Sequence, residues 1–81
     1  MLTPNHLGLM TIRPADPRDQ KRLEDLASLD SARPLAGTAL LAEVDGEPVA
    51  ALEIESGRAV ADPFRPTQRI VDLLQLRAAQ L

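Results

Sequence analysis

Residues 38–54 read TALLAEVDGEPVAALEI, and the Asp45-Gly46 pair at the centre decides the fold. Two apolar runs flank a dipeptide whose residues both accept positive φ, which is the requirement of a type I′ hairpin turn. In that register Val44 faces Glu47 as the hydrogen-bonded pair that closes the turn, and Glu43 faces Pro48 as a non-hydrogen-bonded pair. Proline has no N–H, but at this position the group would point away from the partner strand, so the register explains the residue. The same logic repeats at Ser56-Gly57, which closes a second hairpin onto Arg58–Asp62, with Glu55 opposite Arg58 as a favourable charge pair. The resulting fourth strand reaches to about Asp62, opposite Ala51.

Counting alternate residues through these hairpins gives two faces. One carries Ala39, Leu41, Ala50, Leu52, Ile54, Ala59 and Ala61. The other carries Leu40, Ala42, Val44, Val49 and Ala51, together with Glu53 and Glu55. Neither is cleanly polar, and a sheet apolar on both faces needs cover on both. A bulge would redistribute these sets, because a one-residue slip moves every side chain across the sheet.

The cover is found on either side. Asp16 is a good N-cap, Pro17 suits the first helical position, and Asp19 stands where a carboxylate reaches back to the cap. A helix is predicted from Pro17 to about Leu29, burying Leu23, Leu26 and Ala27, with Asp30 on the same side and Leu29 widening the stripe. Ser31–Gly37 is a connection, broken by Pro34 and Gly37. At the far end, Thr67 is a plausible cap for a second helix whose stripe is Ile70, Val71, Leu74, Ala78 and Leu81, with Leu73 adjacent. Leu9–Arg13 is a short strand ended by Pro14, and residues 1–8 read as a flexible leader before a small domain over residues 9–81. The order is β-α-β-β-β-α, a small α+β fold.

Composition narrows the function classes. Phe64 is the only aromatic residue among 81, so the core is built from Leu, Val, Ile and Ala. A chain of this size buries only about 60% of its unfolded surface, so its own core is marginal and a second subunit is a reasonable remedy. There is no cysteine, hence no disulfide, thiolate metal site or Cys nucleophile. The net charge is −3 with acids and bases interspersed, which gives no nucleic-acid footprint. No apolar run reaches the roughly 18 residues of a membrane helix, and the start lacks the features of a secretory signal. A cytoplasmic protein is expected.

Strand, helix, the hairpin LLAEVDGEPVAAL, a further strand and a long amphipathic helix, taken in order, resemble the N-terminal half of the GNAT-family N-acetyltransferases over residues 9–81. VADPFRPTQRIVDLL (residues 60–74) resembles the strand-loop-helix that carries acetyl-CoA in that family. The resemblance implies a phosphate loop reading roughly Arg/Gln-x-x-Gly-x-Gly/Ala, whose backbone N–H groups turn to the pyrophosphate at the helix start. Arg65 falls on the first position. Pro66, Thr67, Gln68 and Arg69 follow with no glycine, so Cβ atoms obstruct the approach of phosphate and Pro66 removes a donor. The family's later strands have no counterpart here. The loop is therefore expected to be degenerate and no cofactor is expected. Were acetyl-CoA bound, Arg65, Thr67, Gln68 and Arg69 would be the residues to hold it, or else the arginines pair with acids such as Asp62 and Asp72.

No catalytic or metal-binding residue is assigned. His6 lies in the leader without a positioned partner. Ser31 stands in a helix end and turn, and Glu43, Glu53 and Glu55 divide between the two faces as a solvated edge. The expectation is a non-catalytic interaction module that forms a homodimer, through an apolar sheet face, through the Ile70, Val71, Leu74, Ala78 and Leu81 stripe, or by extending the sheet at an edge. The alternatives are an acyl-CoA-binding protein or weak acetyltransferase assembled from two half-folds, and an adaptor to a larger protein.

Overall fold

A computed structural model of the chain describes residues 9–81, so the leader expected over residues 1–8, with His6, lies outside the described residues. The elements are β1 (Met10–Pro14), a 3₁₀ turn (Pro17–Asp19), α1 (Gln20–Leu29), β2 (Ala39–Val44), β3 (Glu47–Glu53), β4 (Ala59–Ala61) and α2 (Gln68–Ala79). The strands form one antiparallel sheet in the order β1-β2-β3-β4. The architecture is the α+β arrangement that the hairpin predicts.

The deciding turn has the expected geometry. Asp45 and Gly46 stand at φ of 52° and 83°, Val44 faces Glu47, and Glu43 faces Pro48. The register then shifts between Ala42 and Glu43, so that Ala42 faces Ala50 and Val49 is the extra residue. The two-residue turn survives, and the bulge sits beyond it. From this point the pairing of β2 with β3 departs from the count made on the sequence. Ala39 and Leu41 now share a face with Ala51 and Val60, while Leu40 and Ala42 share the other with Val49, Ala50 and Leu52. Both bulge residues lie on that second side, which is how one inserted residue reverses the sets.

The second hairpin also differs. Arg58 faces Glu53, not Glu55: Glu53 N donates to Arg58 O (2.8 Å) and Gly57 N to Glu53 O (2.9 Å), leaving Ile54–Gly57 as a four-residue loop. β4 is accordingly displaced by two residues: Val60 rather than Asp62 stands opposite Ala51, and Asp62 N reaches Val49 O at 2.9 Å. The cause lies in the Glu53 side chain. Its carboxylate accepts from the Ala36 (2.9 Å) and Gly37 (2.7 Å) amides and from the Ser56 hydroxyl. Arg58 turns to the carbonyls of Arg33 (2.8 Å) and Pro34 (2.7 Å). These bonds anchor the α1–β2 connection onto the hairpin, and they hold the Glu53 carboxyl below its ordinary range, the Ser56 hydroxyl contributing most.

Each sheet face has its helix. α1 lies over β3 and β4, burying Leu23, Leu26 and Ala27 with Leu35 from the connection. Leu29 does not widen the stripe: it is exposed at the helix end. There Ser31 takes φ of 53° and Ala32 N reaches Ala27 O at 2.9 Å, the helix end and turn expected of that segment. α2 crosses β2 and β3 on the other face with Leu74 fully buried. Ile70, Val71 and Ala78 pack beside it against the same sheet. Four of the five residues that the sequence offers to a twin are thus engaged within the chain, while Leu81 is 79% exposed.

Leu74→Ala is expected to lower stability by about 2–5 kcal/mol, because a fully buried leucine leaves a cavity. Leu81→Ala is expected to stay within roughly 0.5 kcal/mol, as exposed substitutions do. Urea unfolding of both variants checks this; equal losses would mean that α2 does not pack as described.

Candidate functional site

The β4–α2 loop is the place where the sequence invites a ligand. Asp62 organises it: its carboxylate accepts from Phe64 N (2.8 Å) and its carbonyl from Arg65 N (3.3 Å). Arg65 is drawn to the hairpin tip, where Nη2 meets Glu47 Oε1 at 2.9 Å, and Nε lies 3.5 Å from Asp62 Oδ2. Thr67 precedes α2 but makes no side-chain cap bond, and its carbonyl accepts from Val71 N at 2.9 Å. Gln68 Nε2 donates to Asp72 Oδ1 (3.0 Å), one helical turn on. Arg69 is exposed in the first turn of the helix. The four residues surround one helix start, but Arg65 is held by two carboxylates and Gln68 by a third.

A second constellation emerges from the fold and is not foreseen in the sequence. Two carboxylates are buried, Asp19 at 3% and Glu43 at 8% exposure, and arginines from different elements converge on them. Arg13 of β1 donates through Nη1 and Nη2 to both Asp19 oxygens (2.8 and 2.9 Å) and through Nε to Glu43 Oε1 (3.2 Å). Arg22 of α1 lies 3.0 Å from Glu43 Oε2 and 3.5 Å from Asp19 Oδ1, and it donates to the Gly46 carbonyl in the hairpin turn. The helix start closes the network. Asp16 Oδ1 accepts from Arg18 N (2.8 Å) and Asp19 Oδ2 from Asp16 N (2.9 Å), so the expected cap is also the support of the cluster. Glu43 is therefore buried and paired, contrary to the solvated edge read from the sequence. Among the described residues no buried side-chain nitrogen or oxygen lacks a hydrogen-bond partner.

The electrostatics follow from this geometry. The Arg13 hydrogen bonds, with the Asp16 amide second, hold the Asp19 carboxyl far below the usual carboxylate range. Burial pushes the Glu43 carboxyl up, but the Arg13 hydrogen bonds and the charges of Arg13 and Arg22 together outweigh it and leave it lowered. The same bonds raise Arg13. A general acid or base needs a pKa near the working pH. All three shifts run the other way and fix each group in its charged form. The open cleft beside the cluster is lined by Arg13, Asp16, Arg18, Asp19 and Arg22. Its arginines face as many carboxylates as there are cations once Glu43 is included, so the site is a clamp rather than an anion trap.

Some of this was available in the sequence. Arg22 stands three residues after Asp19, which is one helical turn. The convergence of Arg13 and Glu43 needs the β1–β2 register, Thr11 opposite Glu43 and Arg13 opposite Leu41, which no local signal fixes.

Glu43→Gln is expected to cost about 2 kcal/mol, less than the 3–5 kcal/mol of a fully enclosed pair because the Arg13 side chain is 36% exposed. For acid, the sign is that of lowered carboxylates. Their contribution is complete above the unfolded-state values of about 4 and is lost as pH falls below them. Urea midpoints should be level from pH 7 to about pH 5 and drop below about pH 4. They should drop less in Glu43→Gln than in the parent, and a parent midpoint unchanged at pH 3 would contradict the clamp.

Comparison with protein-family models, with curated proteins and with solved structures finds no match for this chain.

Proposed function

We propose that the chain is a non-catalytic interaction module that self-associates, built on the half-acetyltransferase scaffold its sequence resembles. The observation that carries this reading is the state of the β4–α2 loop. Arg65, the residue matching the first position of the family's phosphate loop, is turned toward Glu47 and Asp62, and prolines stand on either side of it. A backbone cradle for a pyrophosphate wants glycines and open amides. The clamp of Arg13, Asp19, Arg22 and Glu43 supports the same reading, since its groups are locked in their charged forms.

Several large apolar side chains face outward among the exposed charged and polar residues. Leu9, Phe64, Leu76 and Leu81 are all exposed. Both sheet faces are occupied by the chain's own helices, which leaves the outer side of α2 and the sheet edges as surfaces for a twin. A larger protein taken up on the same surfaces, with the chain as adaptor, is the corresponding heteromeric form.

The alternative, acyl-CoA binding or weak acetyl transfer by paired half-folds, draws on the exposed position of Arg69 in the first turn of α2. Sedimentation velocity separates the readings. Between about 10 μM and 1 mM, spanning roughly −7 to −4 kcal/mol of binding, the mass should climb from one chain toward two. Acetyl-CoA at millimolar concentration should neither shift that curve nor raise the melting temperature. A chain that stays monomeric throughout sinks the proposal, and a ligand-dependent melting shift transfers it to the alternative.

A further inference from the structure

The two edges of the sheet are not equivalent. On β4 the ladder bonds at Arg58 and Asp62 place the N–H groups of Ala59 and Ala61 on the outside. The Ala61 N–H is not left open, because Asp30 at the end of α1 accepts it through Oδ2 at 3.1 Å. A carboxylate on the outward groups of a strand blocks pairing with another chain.

On β1 the bonds Ala15 N to Ala39 O and Asp45 N to Leu9 O, both 2.9 Å, show that the odd-numbered residues face β2. Met10, Ile12 and Pro14 therefore turn their backbone groups outward. Pro14 has no N–H to offer and loses nothing there, which is why it belongs to the strand instead of ending it. Among the described residues, no acceptor takes the Met10 or Ile12 N–H. Among the described residues the side chains at the start of this edge are also uncovered, with Leu9 at 71% and Met10 at 37% exposure.

We infer that two copies of the chain pair antiparallel through β1, with Met10 opposite the twin's Ile12 and a two-fold axis between the two Thr11 residues. This rests on the self-association reading and specifies its surface. The register is selected by the residues themselves. With Thr11 at the axis, the outward N–H and C=O of Met10 and Ile12 are all satisfied. Shifting the axis to Ile12 sets Met10 against the twin's Pro14, which cannot donate. Shifting it to Arg13 places like charges opposite one another. In the chosen register Met10 meets the twin's Ile12 on the α2 side. On the α1 side Leu9 lies along the aliphatic stem of the twin's Arg13, and the two threonines form a favourable polar pair. Four strands from each copy make a continuous sheet of eight, with Asp30 on the Ala61 N–H at both outer edges. Two five-residue strands cover less than the about 1,200 Å² of a standard interface, so the dimer is weak and concentration-dependent.

The absence of cysteine makes the test direct. A non-hydrogen-bonded antiparallel pair has Cα atoms about 4.5 Å apart, inside the roughly 4.4–6.8 Å range of disulfides. Thr11→Cys should therefore oxidise to a covalent dimer at least about tenfold faster than Gln75→Cys on the exposed flank of α2. Met10→Pro leaves the β1–β2 ladder intact and should weaken the dimer about tenfold, the weight of two hydrogen bonds lost per dimer. Circular dichroism confirms that the variant is folded. If the parent associates but Thr11→Cys cross-links no faster than the control, or Met10→Pro associates as the parent does, the edge pairing is wrong and self-association stands on another surface. A parent that never associates overturns both.

Discussion

Asp19 and Glu43 are carboxylates buried in a small core, and the rest of the fold depends on their being paired. An uncompensated charge in that position would be strongly destabilising, and the remedy here is drawn from three separate elements. Arg13 brings the end of β1, Arg22 the first turns of α1, and Glu43 the arm of the hairpin, while the Gly46 carbonyl extends the network to the turn. The amide of Asp16 completes it, so the helix cap and the clamp are one structure. The apolar contacts of α1 reach β3 and β4 and scarcely touch β1. What fixes α1 relative to the first strand is therefore mainly this polar junction, and the docking of β1 is directional where the docking of the helices is not.

The hairpin was legible in the sequence because its chemistry is local. Asp45-Gly46 selects the turn, and Pro48 tolerates only a position whose N–H faces away. Beyond Pro48 the information ceases to be local. The bulge at Val49 is marked by no glycine and no charge. It follows from a competition that composition conceals: Ala51 and Val60 fit beneath α1 with Ala39 and Leu41, while Leu52 fits beneath α2 with Leu40. Alternate counting cannot choose between these partitions when both faces are apolar. Similarly, Ser56-Gly57 satisfies the composition of a two-residue turn, but Glu53 has better partners in the Ala36 and Gly37 amides. Those partners lie in a connection whose position the sequence does not give.

The same limit explains the candidate site. Residues at the β4–α2 junction can be laid on the phosphate loop of an acetyltransferase, because that comparison is made along the chain. Where Arg65 points is set across the fold, by Glu47 at the far tip of the first hairpin. Asp19 was visible as a capping residue, and that role is real. Its place in the clamp beside Glu43 needed the β1–β2 register, which brings Arg13 to a carboxylate 30 residues away.

The sheet carries Ala39, Ala42, Ala50 and Ala51 at its centre, with Ala59 and Ala61 on β4, so each helix approaches a surface of small side chains. Small residues allow close approach but bury little area each, and dispersion and transfer terms scale with that area. A core of this kind has two ways to gain cohesion without larger side chains. One is directional polar bonding at the layer edges, which the Arg13 clamp and the Glu53 and Arg58 anchors supply. The other is to lengthen the sheet itself, since adding strands adds hydrogen bonds and apolar contact without demanding new core volume. A sheet so thin in large side chains is blocked at Ala61 of β4 by Asp30 and, among the described residues, left open at β1. That asymmetry leads us to read β1 as the edge where growth is permitted, and the Asp30 edge as the place where it stops.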